Sequence, residues 1–138
     1  MLGPIDHVGY LVDDLERGIA LFTERFGIQV LRRFERPQFS LAGAYLGASR
    51  GDLEVFTFGD PELRAARLGA HEILLDHVAH AVADIHAIAA SLRGEGVRFS
   101  GPDLRTELSE PVDLGGVLHL WTVPDSCSGV ALQLMQRL

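Results

Sequence analysis

Residues 5–14 read Ile-Asp-His-Val-Gly-Tyr-Leu-Val-Asp-Asp, and residues 75–84 read Leu-Asp-His-Val-Ala-His-Ala-Val-Ala-Asp. Aligned without a gap, the two stretches share Asp, His, Val, Val and Asp, and both begin with an aliphatic residue. Alternating, branched residues predict that each stretch is a β-strand. A repeat that returns a histidine to the same place indicates two copies of one structural unit facing a shared site.

The residues after each repeated strand predict the same order of elements in both halves. A helix start comes next, marked in the first half by Asp13 and Asp14 with Glu16 three residues after Asp13, and in the second half by the cap Asp84; strand-like runs follow each helix. These runs cover residues 29–36, 41–46 and 52–58 in the first half, and 97–99, 116–123 and 130–136 in the second. The pattern predicts an α+β fold of two βαβββ modules, about residues 4–59 and 74–138, joined by a connector of residues 60–73 in a single domain of residues 1–138.

Composition limits the classes of partner. The chain has 138 residues, of which 47% are hydrophobic and 22% charged, as is typical of a soluble globular domain. The formal charge of −7 argues against a nucleic-acid partner, and no apolar stretch approaches the roughly 20 residues of a membrane span. The single cysteine, Cys127, is compatible with a reducing compartment, so we expect a cytoplasmic protein.

Arginine supplies all twelve basic residues, and the chain has no lysine. Schiff-base chemistry and a phosphate-loop lysine are therefore excluded. Any proton transfer has to come from His, Glu, Asp, Tyr or a metal-bound water.

Four polar side chains lie at matching places in the two predicted modules. Each histidine of the repeat is followed, two residues later on the same strand face, by a small residue that leaves room beside the imidazole. The last strand of the first module carries Glu54, and that of the second carries Gln133, both between aliphatic residues. A buried polar group without a partner costs about 1–3 kcal/mol. The pattern therefore predicts one divalent metal site of His7, Glu54, His77 and Gln133.

Further aromatic and histidine side chains are candidates for contact with a substrate. On the penultimate predicted strand, His119 and Trp121 share a face opposite aliphatic residues, so both could line the site, and His119 could move protons near neutral pH. Phe56 and Phe58 share the face of the carboxylate on their strand and could form an apolar substrate wall. Tyr45 is a similar candidate.

With these motifs, the chain resembles the vicinal oxygen chelate superfamily, which includes glyoxalase I, methylmalonyl-CoA epimerase, extradiol dioxygenases and bleomycin- or fosfomycin-resistance proteins. The residues that carry the resemblance are 5–8, 75–78, Asp84 and 123–134, the last being most similar to the closing loop and strand of the epimerases. The resemblance implies a cup-shaped mixed sheet with helices on the outside and one metal ion. The ligand positions of the family fall at His7, Glu54, His77 and Gln133.

The chain departs from the epimerase pattern at three places. Glyoxalases and epimerases usually have a glutamate where this chain has Gln133, and epimerases often have a glutamine where it has Glu54. The segment of residues 36–40, which roughly matches the region of a further epimerase glutamate, has no carboxylate. These departures argue against two-glutamate epimerisation of a CoA ester and against ordinary glyoxalase I chemistry.

We expect a metal-dependent isomerase or epimerase, or a glyoxalase-like lyase, that acts on a small carbonyl or acyl-thioester substrate. A divalent ion (Co, Ni, Zn, Mn or Fe) would stabilise the enolate formed when a neighbouring carbon loses its proton. Glu54 is the first candidate for the catalytic base, and His119 is the second. Two alternatives remain, an Fe(II) dioxygenase of the same superfamily and a non-catalytic ligand-binding protein of the resistance type. The resemblance also implies a homodimer.

Overall fold

A computed structural model of the chain describes residues 1–47 and 52–138. The chain divides into two compact units. The first unit is His7–Asp76, and the second is Met1–Asp6 together with His77–Leu138. None of the helices in the described ranges has the length and hydropathy needed to cross a membrane.

The first unit follows the predicted order of strand, helix and three strands. Its elements are β1 (Ile5–Val12, of which residues 7–12 lie in this unit), α1 (Leu15–Ala20), a wider helical segment (Leu21–Arg25), β2 (Val30–Arg36), β3 (Leu41–Leu46), β4 (Leu53–Phe58) and the connecting helix α2 (Pro61–Leu68). The strands lie in the order β2-β3-β4-β1. Strand β1 runs parallel to β4, with Gly9 opposite Glu54, and the other neighbours are antiparallel.

The second unit repeats this order with a short and interrupted second strand. Its elements are β5 (Ile73–Ala81, from residue 77 on), α3 (Ile85–Gly94), β6 (Phe99–Ser100), β7 (Val112–Asp113), β8 (Val117–Thr122) and β9 (Leu132–Arg137). Strand β5 runs parallel to β9, with Ala79 opposite Gln133, and β8 pairs antiparallel with β9, β6 and β7. The predicted α+β class with two βαβββ modules is confirmed.

In each unit, a helix covers one face of the strands and leaves the other face to the polar residues of the repeat. In the first unit, Ile19 and Phe22 pack against Ala44, Leu46 and Val55. In the second unit, the buried cluster that includes helix α3 contains Val82, Ile85, Ala89, Phe99, Leu120 and Leu134. Side chains alternate along a strand, so the histidines and their companions lie on the opposite face of each unit.

The ends of several elements differ from the sequence prediction. The strand predicted over residues 130–136 begins at Leu132, because the Val130 amide donates to the Cys127 carbonyl and so belongs to the preceding turn. The strand predicted over residues 97–99 is Phe99–Ser100, since Gly96 turns the chain with φ of 90° just before it. The helix after Asp14 widens at Leu21–Arg25, where the Thr23 hydroxyl donates to the Ile19 carbonyl.

The aspartate caps allow a direct test of the helix assignments. The Asp84 carboxylate accepts a hydrogen bond of 2.9 Å from the Ala87 amide at the start of α3. Replacing Asp84 with alanine should lower the free energy of unfolding by about 1 kcal/mol, because an N-terminal amide loses its partner. Urea denaturation would measure the change. Asp125→Ala is the matched control at an exposed aspartate, and an equal loss in both variants would contradict the capping role.

Candidate functional site

The first half-site consists of His7 and Glu54 on the face that helix α1 leaves open. Because Gly9 lies opposite Glu54 in the parallel pair, His7 stands two residues upstream on the same face. His7 Nε2 and Glu54 Oε2 are 3.7 Å apart, and the two residues are 1% and 8% exposed. This separation is longer than a hydrogen bond. It is close to the roughly 3.0–3.5 Å between two atoms that bind one cation at about 2.0–2.2 Å.

Tyr45 connects the two members of the first half-site. It lies directly opposite Glu54 in the antiparallel pair β3–β4 and hydrogen-bonds to its carboxylate. Its ring meets the His7 imidazole edge-on, with 5.4 Å between the ring centroids. Burial first, and then the charge of the Glu54 carboxylate, raise the pKa of Tyr45 well above its ordinary value, although Arg32 and Arg36 act in the opposite direction. The phenol therefore stays protonated at neutral pH and donates its hydrogen to Glu54.

The second half-site places His77 and Gln133 in the same register. Ala79 lies opposite Gln133 in the parallel pair β5–β9, so His77 again stands two residues upstream of the position opposite an oxygen donor. His77 is 3% exposed and Gln133 is 2% exposed. Among residues 1–47 and 52–138, the Gln133 Oε1 atom finds no hydrogen-bond partner. A buried carbonyl oxygen in this position costs about 1–3 kcal/mol, and a bound cation would remove that cost.

His119 and Trp121 frame Gln133 from strand β8. Trp121 is directly opposite Gln133, and His119 lies two residues away on the same face. The Gln133 side-chain amide donates a hydrogen bond of 2.8 Å to His119 Nδ1. The His119 ring stacks on Trp121, with centroids 5.6 Å apart and planes 11° apart. The predicted shared face of these two residues is thus observed, and both are buried.

Phe56 and Phe58 lie on the Glu54 face of β4, as the alternation predicts. Both are 1% exposed and belong to a buried cluster with Leu11 and Leu68. Their packing contributes to the core of the first unit. A contact with substrate remains a prediction for both phenylalanines, and also for Tyr45 and Trp121.

The aspartate that precedes each repeated histidine has a role that the sequence pattern does not reveal. The structure pairs both with arginine: Asp6 with Arg137 Nη2 at 2.7 Å in the second unit, and Asp76 with Arg67 in the first. Each aspartate side chain is 4% exposed. An aspartate within an apolar strand signals a need for a partner, but its arginine cannot be identified without the fold. In each repeated Asp-His pair, the aspartate therefore forms an ion pair on one face of the strand, and the histidine is a candidate ligand on the other face.

Each half-site offers the donor types of a transition-metal centre. An imidazole nitrogen and a side-chain oxygen stand together on one buried face of each unit, and both suit borderline divalent cations. The donors present are neutral or singly negative, so they retain the cation's net positive charge. The residues of each half-site therefore fit the metal that the repeat predicts.

Solved structures of methylmalonyl-CoA epimerases are similar to this chain. The epimerase from Mycobacterium tuberculosis is 20% identical with a TM-score of 0.81, and the comparison covers 99% of this chain and 89% of that one. A selenomethionine methylmalonyl-CoA epimerase is 26% identical with a TM-score of 0.77, over 100% and 98% of the two chains. A Streptomyces coelicolor epimerase variant in complex with 2-nitronate-propionyl-CoA is 21% identical with a TM-score of 0.77, over 99% of both.

The similarity to the solved structures supports the fold, while a family model identifies the family. No match to the sequence was found among curated proteins. The model of the glyoxalase/bleomycin resistance protein/dioxygenase superfamily matches residues 4–108, well over half of the chain. The resemblance inferred from the repeated motif is confirmed. The chain belongs to the glyoxalase/bleomycin resistance protein/dioxygenase superfamily.

Proposed function

We propose that this protein is a metal-dependent isomerase or epimerase, or a related lyase, that removes a proton from the carbon next to a carbonyl group. The observation that carries the proposal is the pair of matched half-sites. In each unit, a buried oxygen donor lies opposite a small residue of the parallel strand, and a buried histidine lies two residues before that small residue. Membership of a superfamily whose name includes glyoxalase supports the same class of chemistry.

We further propose that His7, Glu54, His77 and Gln133 together hold one divalent cation. Two imidazoles, a carboxylate and a carboxamide oxygen suit Co, Ni, Zn, Mn or Fe. When bound, the cation supplies positive charge that stabilises an enolate oxygen more than a neutral carbonyl oxygen. The single carboxylate neutralises one of the two positive charges, so a net positive charge remains for the substrate.

Glu54 is the proposed catalytic base. Its carboxylate is buried, and the Tyr45 phenol holds it by a hydrogen bond. A carboxylate fixed in this way could accept the substrate proton without a large change of position. His119 is the second candidate for proton transfer, through Nε2, because its Nδ1 accepts the hydrogen bond from Gln133.

The proposed substrate is a small carbonyl compound or an acyl thioester. Similar solved structures include a methylmalonyl-CoA epimerase in complex with methylmalonyl-CoA, which supports an acyl thioester as the first compound to test. We propose that Tyr45, Phe56, Phe58 and Trp121 form the apolar surroundings of the acyl group.

The decisive experiment combines metal analysis with proton exchange. The protein is purified without added metal, and its bound metals are measured by elemental analysis. Loss of the α-proton from methylmalonyl-CoA and from propionyl-CoA in D₂O is then followed by NMR. We expect one divalent cation per chain, and exchange that stops when a chelator removes the cation and returns when Co²⁺ is added.

Two other results would assign the site to the alternative functions. Bound iron with dioxygen uptake and no proton exchange would favour an Fe(II) dioxygenase. A metal-free protein that retains a tightly held aromatic ligand would favour a non-catalytic binding protein. Either result would overturn the isomerase proposal.

We propose a homodimer in the cytoplasm that binds neither nucleic acid nor membrane. The net charge of −7 supports the absence of a nucleic-acid partner. Analytical ultracentrifugation at several concentrations would test the dimer, and a monomer at every concentration would contradict it.

A further inference from the structure

The side-chain amide of Gln133 has two chemically different ends, and only one can bind a cation. Its oxygen has lone pairs, whereas its nitrogen is a hydrogen-bond donor. The nitrogen faces His119 Nδ1 at 2.8 Å, and the buried oxygen has no hydrogen-bond partner among the described residues. A rotation of the amide by 180° would exchange the two ends and present a donor where a ligand is needed.

The neighbours of His119 hold its ring in the orientation that this hydrogen bond requires. His119 is 5% exposed, and its ring stacks almost parallel to that of Trp121. Trp121 lies directly opposite Gln133 across β8 and β9. The acceptor nitrogen is therefore fixed beside the amide before any cation binds.

The first unit offers an internal comparison. His119 lies two residues before Trp121, which is opposite Gln133. In the first unit Tyr45 is opposite Glu54, so the position equivalent to His119 is Gly43. A side chain there would come within 2.7 Å of the Val55 carbonyl oxygen. The donor in that unit is Glu54, whose two carboxylate oxygens are equivalent ligands, so it needs no group to choose between its ends. A histidine thus accompanies the unsymmetrical carboxamide, and a glycine accompanies the symmetrical carboxylate.

We propose that His119 is a positioning residue that turns the Gln133 oxygen, rather than its nitrogen, towards the cation. This role rests on the proposed function, because it assumes that Gln133 is a ligand. It also explains how a glutamine can serve here without a carboxylate. The hydrogen bond to Nδ1 places the proton of the neutral imidazole on Nε2.

The first test needs no metal. A long-range ¹H–¹⁵N spectrum of the metal-free protein distinguishes the two neutral forms of an imidazole. We expect His119 to show an unprotonated Nδ1 and a protonated Nε2. A protonated Nδ1 would have to donate to the Gln133 oxygen, and would overturn the proposal whether or not the protein binds a cation.

The second test is a double-mutant cycle with Co²⁺ as the probe. His119→Phe keeps an aromatic ring beside Trp121 but removes the acceptor. In the protein that keeps Gln133, we expect the His119→Phe substitution to weaken Co²⁺ binding by about 10–100-fold, as the loss of an outer-shell partner does. In the Gln133→Glu background, the same change should alter affinity within about twofold, because either carboxylate oxygen can face the cation. Competition with a chelating dye and the visible spectrum of the Co²⁺ protein are the readouts.

Controls separate this role from general damage to the fold. His80→Phe is the matched variant, since His80 lies on the face of β5 opposite His77 and hydrogen-bonds to the Gly3 carbonyl. It should leave Co²⁺ affinity unchanged. An equal loss from His119→Phe in both backgrounds would indicate a structural role and overturn the proposal. Failure of the unaltered protein to bind any divalent cation would instead overturn the proposed function, even if the imidazole spectrum is as expected.

Discussion

Replacing Glu54 with glutamine should stop proton exchange and weaken metal binding together. The substitution keeps the size of the side chain but removes the only carboxylate of the four proposed ligands and the proposed base. Loss of a general base lowers rates by about 10²–10⁴-fold. Affinity for Co²⁺ should fall by at least about 10–100-fold, the range seen when only an outer-shell partner is lost. Dye competition measures the affinity, and NMR in D₂O measures the exchange.

Glu16→Gln is the matched control for this experiment. Glu16 is an exposed glutamate that pairs with Arg33 on the other side of β2, away from the half-site. The control should leave both affinity and exchange unchanged. A Glu54→Gln variant that is fully loaded with metal and still exchanges the substrate proton would refute the assignment of Glu54 as the base.

The strength of the sequence prediction lies in the repeat. The paired Asp-His-Val motifs place His7 and His77 at the same register, and strand alternation alone puts each on the face away from its helix. Glu54 and Gln133 could be identified as candidate ligands because a polar residue inside an apolar strand needs a hydrogen-bond partner or a bound cation. Local pattern and tertiary structure agree on the burial of these four residues, while their role as metal ligands remains a prediction.

The contacts between neighbouring strands could not be predicted in the same way. The hydrogen bond from Gln133 to His119 joins residues 14 positions apart, and it depends on a diagonal contact across β8 and β9. The bond between Tyr45 and Glu54 depends likewise on antiparallel register. Register follows from the burial of whole faces and from turn geometry, neither of which is written in a short motif. The widened helical turn at Leu21–Arg25 escaped prediction because the apolar spacing remains helical through it.

Replacing Asp76 with asparagine should destabilise the first unit more than any surface substitution. The Asp76 and Arg67 side chains, which are only 4% and 11% exposed, form an ion pair. Removing the carboxylate leaves the buried guanidinium without its countercharge, which typically costs about 3–5 kcal/mol. The free energy of unfolding in urea, measured on the metal-free protein, would report this loss without interference from ligand binding.

A double variant makes this prediction specific to the ion pair. Arg67→Met in the Asp76→Asn background removes the guanidinium charge while keeping an apolar stem over the Phe58 ring, which the guanidinium of the unaltered protein covers at 5.3 Å. Stability should largely return, because replacing both members of a buried pair is often neutral. Asp6→Asn should cost less than Asp76→Asn, since its partner Arg137 is 48% exposed and water can solvate the guanidinium. Equal losses at Asp6 and Asp76, with no recovery in the double variant, would mean that the aspartates act through something other than these ion pairs.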